Sequence, residues 1–136
     1  MATWKEPVKM RDTLQSISRF GPLLLMSGLI FVASAQEQAP MPDLGFTWQD
    51  KVYHFFAYMA YAATVHRAVS AYALTPMRVA LVVIGLSAAY AATDEWHQAW
   101  VPGRSSEVPD WIADVYGATV TAVVLTIRTM HTGRST

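Results

Sequence analysis

The stretch "ATDEWHQAWVPGRSSEVPDWIADVYGA", residues 92–118, lies between two strongly apolar segments and is rich in ionisable side chains. Pro102, Gly103 and Pro109 lie in its middle, and these residue types end helices and favour turns. The stretch therefore predicts a short loop joining two apolar helices. The ionisable residues gathered at that junction are Asp94, Glu95, His97, Arg104, Glu107, Asp110 and Asp114.

The composition of the chain indicates a small membrane protein. Of 136 residues, 53% are apolar and only 15% are charged, whereas a soluble domain has about 25% charged residues. The formal net charge is zero, which argues against a nucleic-acid partner. The chain has no cysteine, so disulfides and thiolate metal sites are excluded.

Four apolar stretches follow one another along the chain, at about residues 20–36, 52–74, 78–93 and 111–127. Each approaches the roughly 20 residues that a helix needs to cross a bilayer. The predicted fold is all-α, an integral membrane four-helix bundle. It would comprise a cytoplasmic amino-terminal segment (1–19), the membrane domain (20–128) and a cytoplasmic tail (129–136).

The first apolar stretch has a second interpretation. A basic region precedes it, and it ends in "ASA" at 33–35, which resembles a signal peptide with a small-residue cleavage site. The basic region also contains Glu6 and Asp12, which is untypical of signal peptides. We therefore favour a retained membrane helix.

The distribution of Lys and Arg predicts the orientation. Eight of the ten lie in the two termini and the second loop, and only Lys51 and Arg104 lie in the first and third loops. Because cytoplasmic loops are enriched in Lys and Arg, both termini are predicted to be cytoplasmic. The charged stretch would then face the extracytoplasmic side of the plasma (inner) membrane. The eight are Lys5, Lys9, Arg11, Arg19, Arg67, Arg78, Arg128 and Arg134.

Polar residues recur at helical spacing on three of the predicted helices. They are Lys51, His54 and Tyr58 on the second, Asp94, His97 and Gln98 on the third, and Asp110, Asp114 and Gly117 on the fourth. Residues three, four or seven apart share a helix face. Ionisable groups in a membrane segment cost about 2.5–3.5 kcal/mol each at its centre and usually face protein or water. We therefore expect one pocket in which His54, Asp94 and Arg104 converge. A solvated loop is the alternative for Lys51, Glu107 and Asp110.

The residue types suggest roles in such a pocket. Lys and Arg suit phosphate or carboxylate groups, and His beside carboxylates suits proton transfer. The carboxylates outnumber the two cations, so some stay solvated or share a proton or a divalent cation, and the sequence leaves the cofactor unknown. The predicted acid–base residues are His54, Asp94 and Glu95, and the predicted substrate-binding residues are Lys51, Tyr58, Gln98, Arg104, Asp110 and Asp114.

Three ordered motifs resemble the VanZ-like family of small membrane proteins: "DKVYHFFAY" at 50–58, "DEWHQAWVPGRSSEVPD" at 94–110 and "DVYGA" at 114–118. The family is named for a member associated with low-level teicoplanin resistance. The resemblance implies a cell-envelope role and a first helix upstream of the motifs. It assigns the motif positions to Asp50, Lys51, His54, Phe55, Asp94, Glu95, Gln98, Pro102, Arg104, Asp110 and Gly117. Asp114 departs from the family pattern, in which Asn is usual.

Two functions are favoured from the sequence, and a third, an oligomeric transporter, is left open although no sequence feature favours it. The first is a site that binds or processes an anionic envelope substrate, such as a lipid head group, a lipid-linked glycan or a peptidoglycan-related group. The second is a non-catalytic accessory subunit that docks to a protein partner in the membrane and whose polar network is structural. A cavity with an unpaired Arg104 would favour the first, and a closed network would favour the second.

Overall fold

The computed structural model describes residues 8–37 and 42–132. Four α-helices make up most of these ranges, in the order α1 (Val8–Ser34), α2 (Gln49–Val69), α3 (Pro76–Gln98) and α4 (Val108–Thr132). No strand occurs within the described ranges. The predicted all-helical, four-helix arrangement is therefore confirmed.

Three of the helices, α1, α3 and α4, are long and apolar enough to cross a membrane. Helix α2 is 21 residues long, or about 30 Å at 1.5 Å per residue, but it includes Asp50, Lys51 and Arg67 and is less apolar than the others. Its middle is buried against the neighbouring helices, with Tyr58 and Ala62 almost inaccessible. The four predicted spans are thus supported by length and hydropathy for three helices, a pattern typical of a membrane protein.

Helix α1 begins at Val8, well before the predicted apolar run at 20. The residues between, "VKMRDTLQSISR", contain no proline or glycine, so nothing in them ends a helix. Helix α1 packs against the rest of the bundle: Tyr90 donates its hydroxyl hydrogen bond to the Ser27 carbonyl at 2.7 Å, and Ile30 belongs to the buried core. The first apolar stretch is therefore an integral part of the described bundle.

The turn between α3 and α4 folds back on the helix ends. Gly103 has a φ of +76°, a left-handed conformation that glycine adopts at little cost. The Arg104 amide donates to the Val101 carbonyl at 3.1 Å, which closes the turn. This geometry directs the chain so that Arg104 follows immediately beside the carboxyl end of α3.

Helices α2 and α4 run in the same direction and lie close together. Lys51 pairs with Asp110, and His54 with Asp114, so residue numbers rise together along both helices. A Cβ atom built on Gly117 would overlap the carbonyl oxygen of Phe55. The absence of a side chain at Gly117 therefore permits the close approach that brings the polar ends of α2 and α4 into register.

Candidate functional site

A partly open cavity of about 70 Å³ lies between the ends of α1, α2 and α3 that are near the α3–α4 turn. A single water occupies about 10–15 Å³ of cavity volume on this measure. The cavity therefore has room for several waters or for one small polar group. The residues around it come from three helices and the α3–α4 turn. They are Ile30, Ala33, Ser34, Tyr53, His54, Ala57, Tyr58, Asp94, Gln98 and Arg104.

Five of the nine residues predicted to form a site line this cavity: His54, Tyr58, Asp94, Gln98 and Arg104. The convergence of His54, Asp94 and Arg104, which come from α2, α3 and the following turn, is therefore observed. The other four, Lys51, Glu95, Asp110 and Asp114, lie beside the cavity, between α2, α3 and α4. The functional roles assigned to all nine remain predictions.

The Arg104 guanidinium is held at the cavity by a hydrogen bond to the Gln98 side-chain amide and not by a carboxylate. Its Nη2 donates to Gln98 Oε1 at 2.7 Å, and Gln98 Nε2 donates to Asp94 Oδ2 at 3.2 Å. Within the described ranges no carboxylate forms an ion pair with Arg104. The guanidinium thus has one hydrogen bond to a neutral group, and its charge is not matched by a direct anionic neighbour.

Lys51 has the opposite environment. Its Nζ lies 2.8 Å from Asp50 Oδ2, 3.0 Å from Glu107 Oε2 and 2.8 Å from Asp110 Oδ1. Hydrogen bonds from Lys51 and Ser105 hold the pKa of the Glu107 carboxyl below its usual range. We call Lys51 and its three carboxylates the lysine cluster. Because the three carboxylates already surround the ammonium, Lys51 has little capacity left for a substrate anion.

His54, Glu95 and Asp114 form a second group, which we call the buried triad. His54 Nδ1 lies 3.0 Å from Asp114 Oδ1. Glu95 Oε2 accepts a hydrogen bond from the Glu107 amide at 2.9 Å. One atom of each of the three side chains lies within 4.8 Å of the others, a separation compatible with a shared metal ion.

Several buried polar atoms in this region have no hydrogen-bond partner among the described residues. Three are in predicted site residues: Tyr58 Oη, Glu95 Oε1 and Asp114 Oδ2. Leaving a buried polar group unpaired costs about 1–3 kcal/mol, and more when the group is charged. The polar network is therefore incomplete, as expected of a site that is completed by water, an ion or a ligand.

Sequence reasoning missed some contributors and misplaced one. Helix α1 supplies Ser34 to the cavity wall; Ser27 and Ser34 are seven apart and lie on the inward face with Ile30, a signal that the three polar stripes did not include. Glu107 binds Lys51 and positions Glu95 through its backbone, although it reads as an ordinary loop residue. His97, expected to share the face of Asp94, lines a neighbouring groove with it but does not line the cavity, because its ring stacks on Phe31 at 4.5 Å.

The arrangement offers both signs of charge within a small space. Arg104 and the Gln98 amide are donors suited to an anion, whereas Asp94 is an acceptor for hydroxyl or ammonium groups. Tyr58 and His54 can act in either sense. The cavity can therefore bind a phosphate or carboxylate that also presents a hydrogen-bond donor.

Comparison with known proteins finds one family. The model of the VanZ/LLP1 family matches residues 15–129, which includes most of α1 and nearly all of α4. This confirms the resemblance seen in the three motifs and extends it over the first helix. Neither the curated proteins nor the solved structures include a match to the chain.

Proposed function

The chain belongs to the VanZ/LLP1 family, and from that premise we propose that its cavity binds the anionic head group of a cell-envelope lipid. The observation on which the proposal rests is the Arg104 guanidinium, which lines the cavity without a carboxylate partner in the described ranges. Arg presents a planar set of donors that grips phosphate or carboxylate through two hydrogen bonds. Arg104 uses one of its donors on Gln98 and keeps others for a ligand.

The incomplete network favours binding over a purely structural role. An accessory subunit whose polar residues only stabilise its own fold would pair its buried groups with one another, since unpaired ones reduce stability. Tyr58, Glu95 and Asp114 each keep a buried atom without a partner among the described residues. A bound head group with attached water would supply the missing contacts to Tyr58 at the cavity.

A neighbouring groove favours a lipid over a water-soluble glycan. This groove, of about 540 Å³, is lined mainly by aromatic residues and shares Asp94 with the cavity. An apolar chain along Trp96 and Trp100 would place its polar end beside Asp94, while the cavity itself admits only a group of about phosphate size. Both Trp side chains are well exposed, as expected for aromatic residues at a membrane interface.

The charge distribution supports an extracytoplasmic position for the cavity. Arg19, Arg67, Arg78 and Arg128 lie in the helix halves away from the cavity. Arg67 there donates to the Ser18 side chain at 2.9 Å and joins α1 to α2. By the positive-inside rule that end faces the cytoplasm, and the cavity opens towards the outer leaflet of the plasma (inner) membrane.

Mass spectrometry of the lipids that co-purify with the protein tests the proposal. The wild type is expected to retain a specific anionic lipid that Arg104→Ala loses. Arg78→Ala is the matched control, because Arg78 is exposed at the opposite end of α3 and its replacement removes the same charge. Arg78→Ala should keep the lipid.

Thermal unfolding in detergent must accompany the lipid measurement. Retention of the same lipid by Arg104→Ala, in a protein that unfolds at the wild-type temperature, would refute the head-group role. Loss of the lipid from both arginine variants would show a general charge effect and would refute it equally.

A further inference from the structure

The buried triad joins three helices at a point where, among the described residues, the two carboxylates have no Lys or Arg partner. His54 belongs to α2, Glu95 to α3 and Asp114 to α4, and one ligand atom from each lies within 4.8 Å of the other two. Glu95 is 6% exposed and Asp114 is 0% exposed. Both carboxylates are therefore removed from the solvent that would otherwise stabilise their charge.

Each carboxylate of the triad has one oxygen satisfied and one left over. Asp114 Oδ1 pairs with His54 and Glu95 Oε2 accepts from the Glu107 amide. Asp114 Oδ2 and Glu95 Oε1 are buried without a partner in the described part of the chain. No Lys or Arg of the described residues forms an ion pair with either carboxylate. Two buried carboxylates, each with an oxygen that has no partner there, beside a histidine within 4.8 Å form a set of metal-ligand types.

The lysine cluster differs from the buried triad because its carboxylates already contact a side-chain cation. Asp50, Glu107 and Asp110 also approach one another closely enough to hold an ion, but the Lys51 ammonium already lies within 3.0 Å of all three. That position is filled by a side-chain cation. The ligand atoms of the buried triad lie within the same 4.8 Å limit, and no Lys or Arg of the described residues lies among them.

We propose that His54, Glu95 and Asp114 bind a divalent first-row metal cation, for which Zn²⁺ is the test ion and Mn²⁺ a weaker competitor. One imidazole nitrogen and two carboxylate oxygens form a mixed donor set that suits Zn²⁺ or Mn²⁺ better than Mg²⁺. Around a divalent cation, adjacent ligands lie about 3–3.5 Å apart and opposite ones about 4–5 Å apart. In the triad one pair of atoms is 3.0 Å apart and all three ligand atoms lie within 4.8 Å of one another, so the side chains would move together around a bound ion.

The metal site would adjoin the cavity without including Arg104. His54 is the shared residue, since it belongs to the triad and also lines the cavity. Three protein ligands leave at least one coordination position for water or for a ligand atom. The inference thus goes beyond head-group binding, and it assigns His54 and Glu95 as metal ligands in place of the acid–base roles suggested by their sequence pattern.

Calorimetric titration of the chelator-treated protein with Zn²⁺ in detergent tests the site. The wild type is expected to bind one Zn²⁺ and to unfold at a higher temperature when zinc is present. Asp114→Asn and Glu95→Gln should each weaken Zn²⁺ binding at least tenfold, because each replaces an anionic ligand with an amide. Mn²⁺ should bind at the same stoichiometry more weakly than Zn²⁺.

Glu107→Gln is the matched control, because it makes the same chemical change in the lysine cluster and leaves the backbone amide that binds Glu95 in place. It should bind Zn²⁺ as the wild type does. Because Asp114 also contacts His54 at 3.0 Å, thermal unfolding without metal accompanies each titration, and Zn²⁺ affinities are compared only among variants that are folded; loss of binding by a folded Asp114→Asn or Glu95→Gln protein supports the site.

Two outcomes would overturn the metal site. One is the absence of saturable Zn²⁺ binding by the wild type, and the other is unchanged affinity in Asp114→Asn and Glu95→Gln, which would locate the binding elsewhere. Arg104→Ala should bind Zn²⁺ normally while losing the co-purified lipid. The metal proposal and the head-group proposal can therefore fail independently.

Discussion

Arg104 Nη2 donates a hydrogen bond of 2.7 Å to Gln98 Oε1, and the same Gln98 amide donates to Asp94. The side chain of Gln98 therefore separates a cation from a carboxylate that could otherwise have neutralised it. In a site of low dielectric, direct contact between the two charges would be strongly favourable. Its absence leaves both charges oriented towards the cavity, where a ligand can meet them.

A double-mutant cycle on Arg104 and Asp94 tests this separation. We expect Arg104→Ala and Asp94→Asn to affect stability almost independently, with a coupling energy of about 1 kcal/mol or less. If the two formed a buried ion pair, removing one partner would cost about 3–5 kcal/mol. Thermal unfolding in detergent measures both single variants and the double variant. A strongly destabilised single variant that recovers in the double variant would show that Arg104 serves to balance Asp94.

Lys51 should matter for stability where Arg104 matters for binding. Replacing Lys51 with Met leaves the buried Asp110 carboxylate without its ammonium partner at 2.8 Å. We expect a loss of about 2–3 kcal/mol in the free energy of unfolding, below the 3–5 kcal/mol typical of a fully buried pair because Lys51 keeps some solvent contact. Chemical unfolding in mixed micelles would measure the change.

Asp110→Asn in the Lys51→Met background provides the control. The second replacement removes the charge that the first one leaves unpaired, so it should restore part of the lost stability. A Lys51→Met protein with wild-type stability would contradict the structural role of the lysine cluster and return Lys51 to the group of ligand-binding candidates.

Helical spacing predicted much of the site because the site residues of each helix lie on one face of that helix. On α2, His54 and Tyr58 are four apart, and both line the cavity. On α3, however, Asp94 is three residues from His97 and four from Gln98, and these fall about 60° and 40° to opposite sides of it. Gln98 therefore reaches the cavity, while His97 is turned towards Phe31 on α1.

The pairing of charges could not be read from the sequence. Several carboxylates lie near Lys51 and Arg104 in the sequence motifs, so the sequence does not determine which of them each cation contacts. The path of the α3–α4 turn determines it. The turn brings Glu107 to Lys51 and leaves Arg104 beside Gln98. The contribution of Ser34 to the cavity depends on how α1 is rotated, and the only polar signal in its apolar run is the pair Ser27 and Ser34, seven residues apart on one face.

The orientation in the membrane can be tested with single cysteines, because the chain has none of its own. Ser106→Cys lies exposed in the α3–α4 turn, and Ala71→Cys lies exposed after α2 at the other end. In intact cells an impermeant thiol reagent should label Ser106→Cys and spare Ala71→Cys, since the positive-inside rule puts the Arg-rich end in the cytoplasm. A site in the carboxyl tail, Ser135→Cys, lies outside the described residues and should also be protected.

Permeabilised cells are the control for that labelling, because both cysteines should then react. Labelling of Ala71→Cys alone in intact cells would show that the orientation is the reverse of the predicted one. The cavity would then face the cytoplasm, and the proposed ligand would have to be a lipid of the inner leaflet.

The close approach of α2 and α4 depends on Gly117. A methyl group there would overlap the Phe55 carbonyl oxygen and would lie 3.3 Å from the Met59 backbone nitrogen. Because both obstacles belong to the backbone of a helix, they cannot rotate away, and Gly117→Ala must push α2 and α4 apart. We expect the free energy of unfolding to fall by about 1–3 kcal/mol, the usual cost of overpacking. Zn²⁺ binding should also weaken, since His54 and Asp114 lie on the two separated helices.

Gly85→Ala is the matched control for Gly117→Ala, because a Cβ at Gly85 meets nothing within 4 Å and alanine favours a helix by about 1 kcal/mol over glycine. Thermal unfolding in detergent should therefore show Gly117→Ala destabilised and Gly85→Ala equal to or more stable than the wild type, whereas equal melting temperatures for the two variants would mean that the helices are not in contact at Gly117.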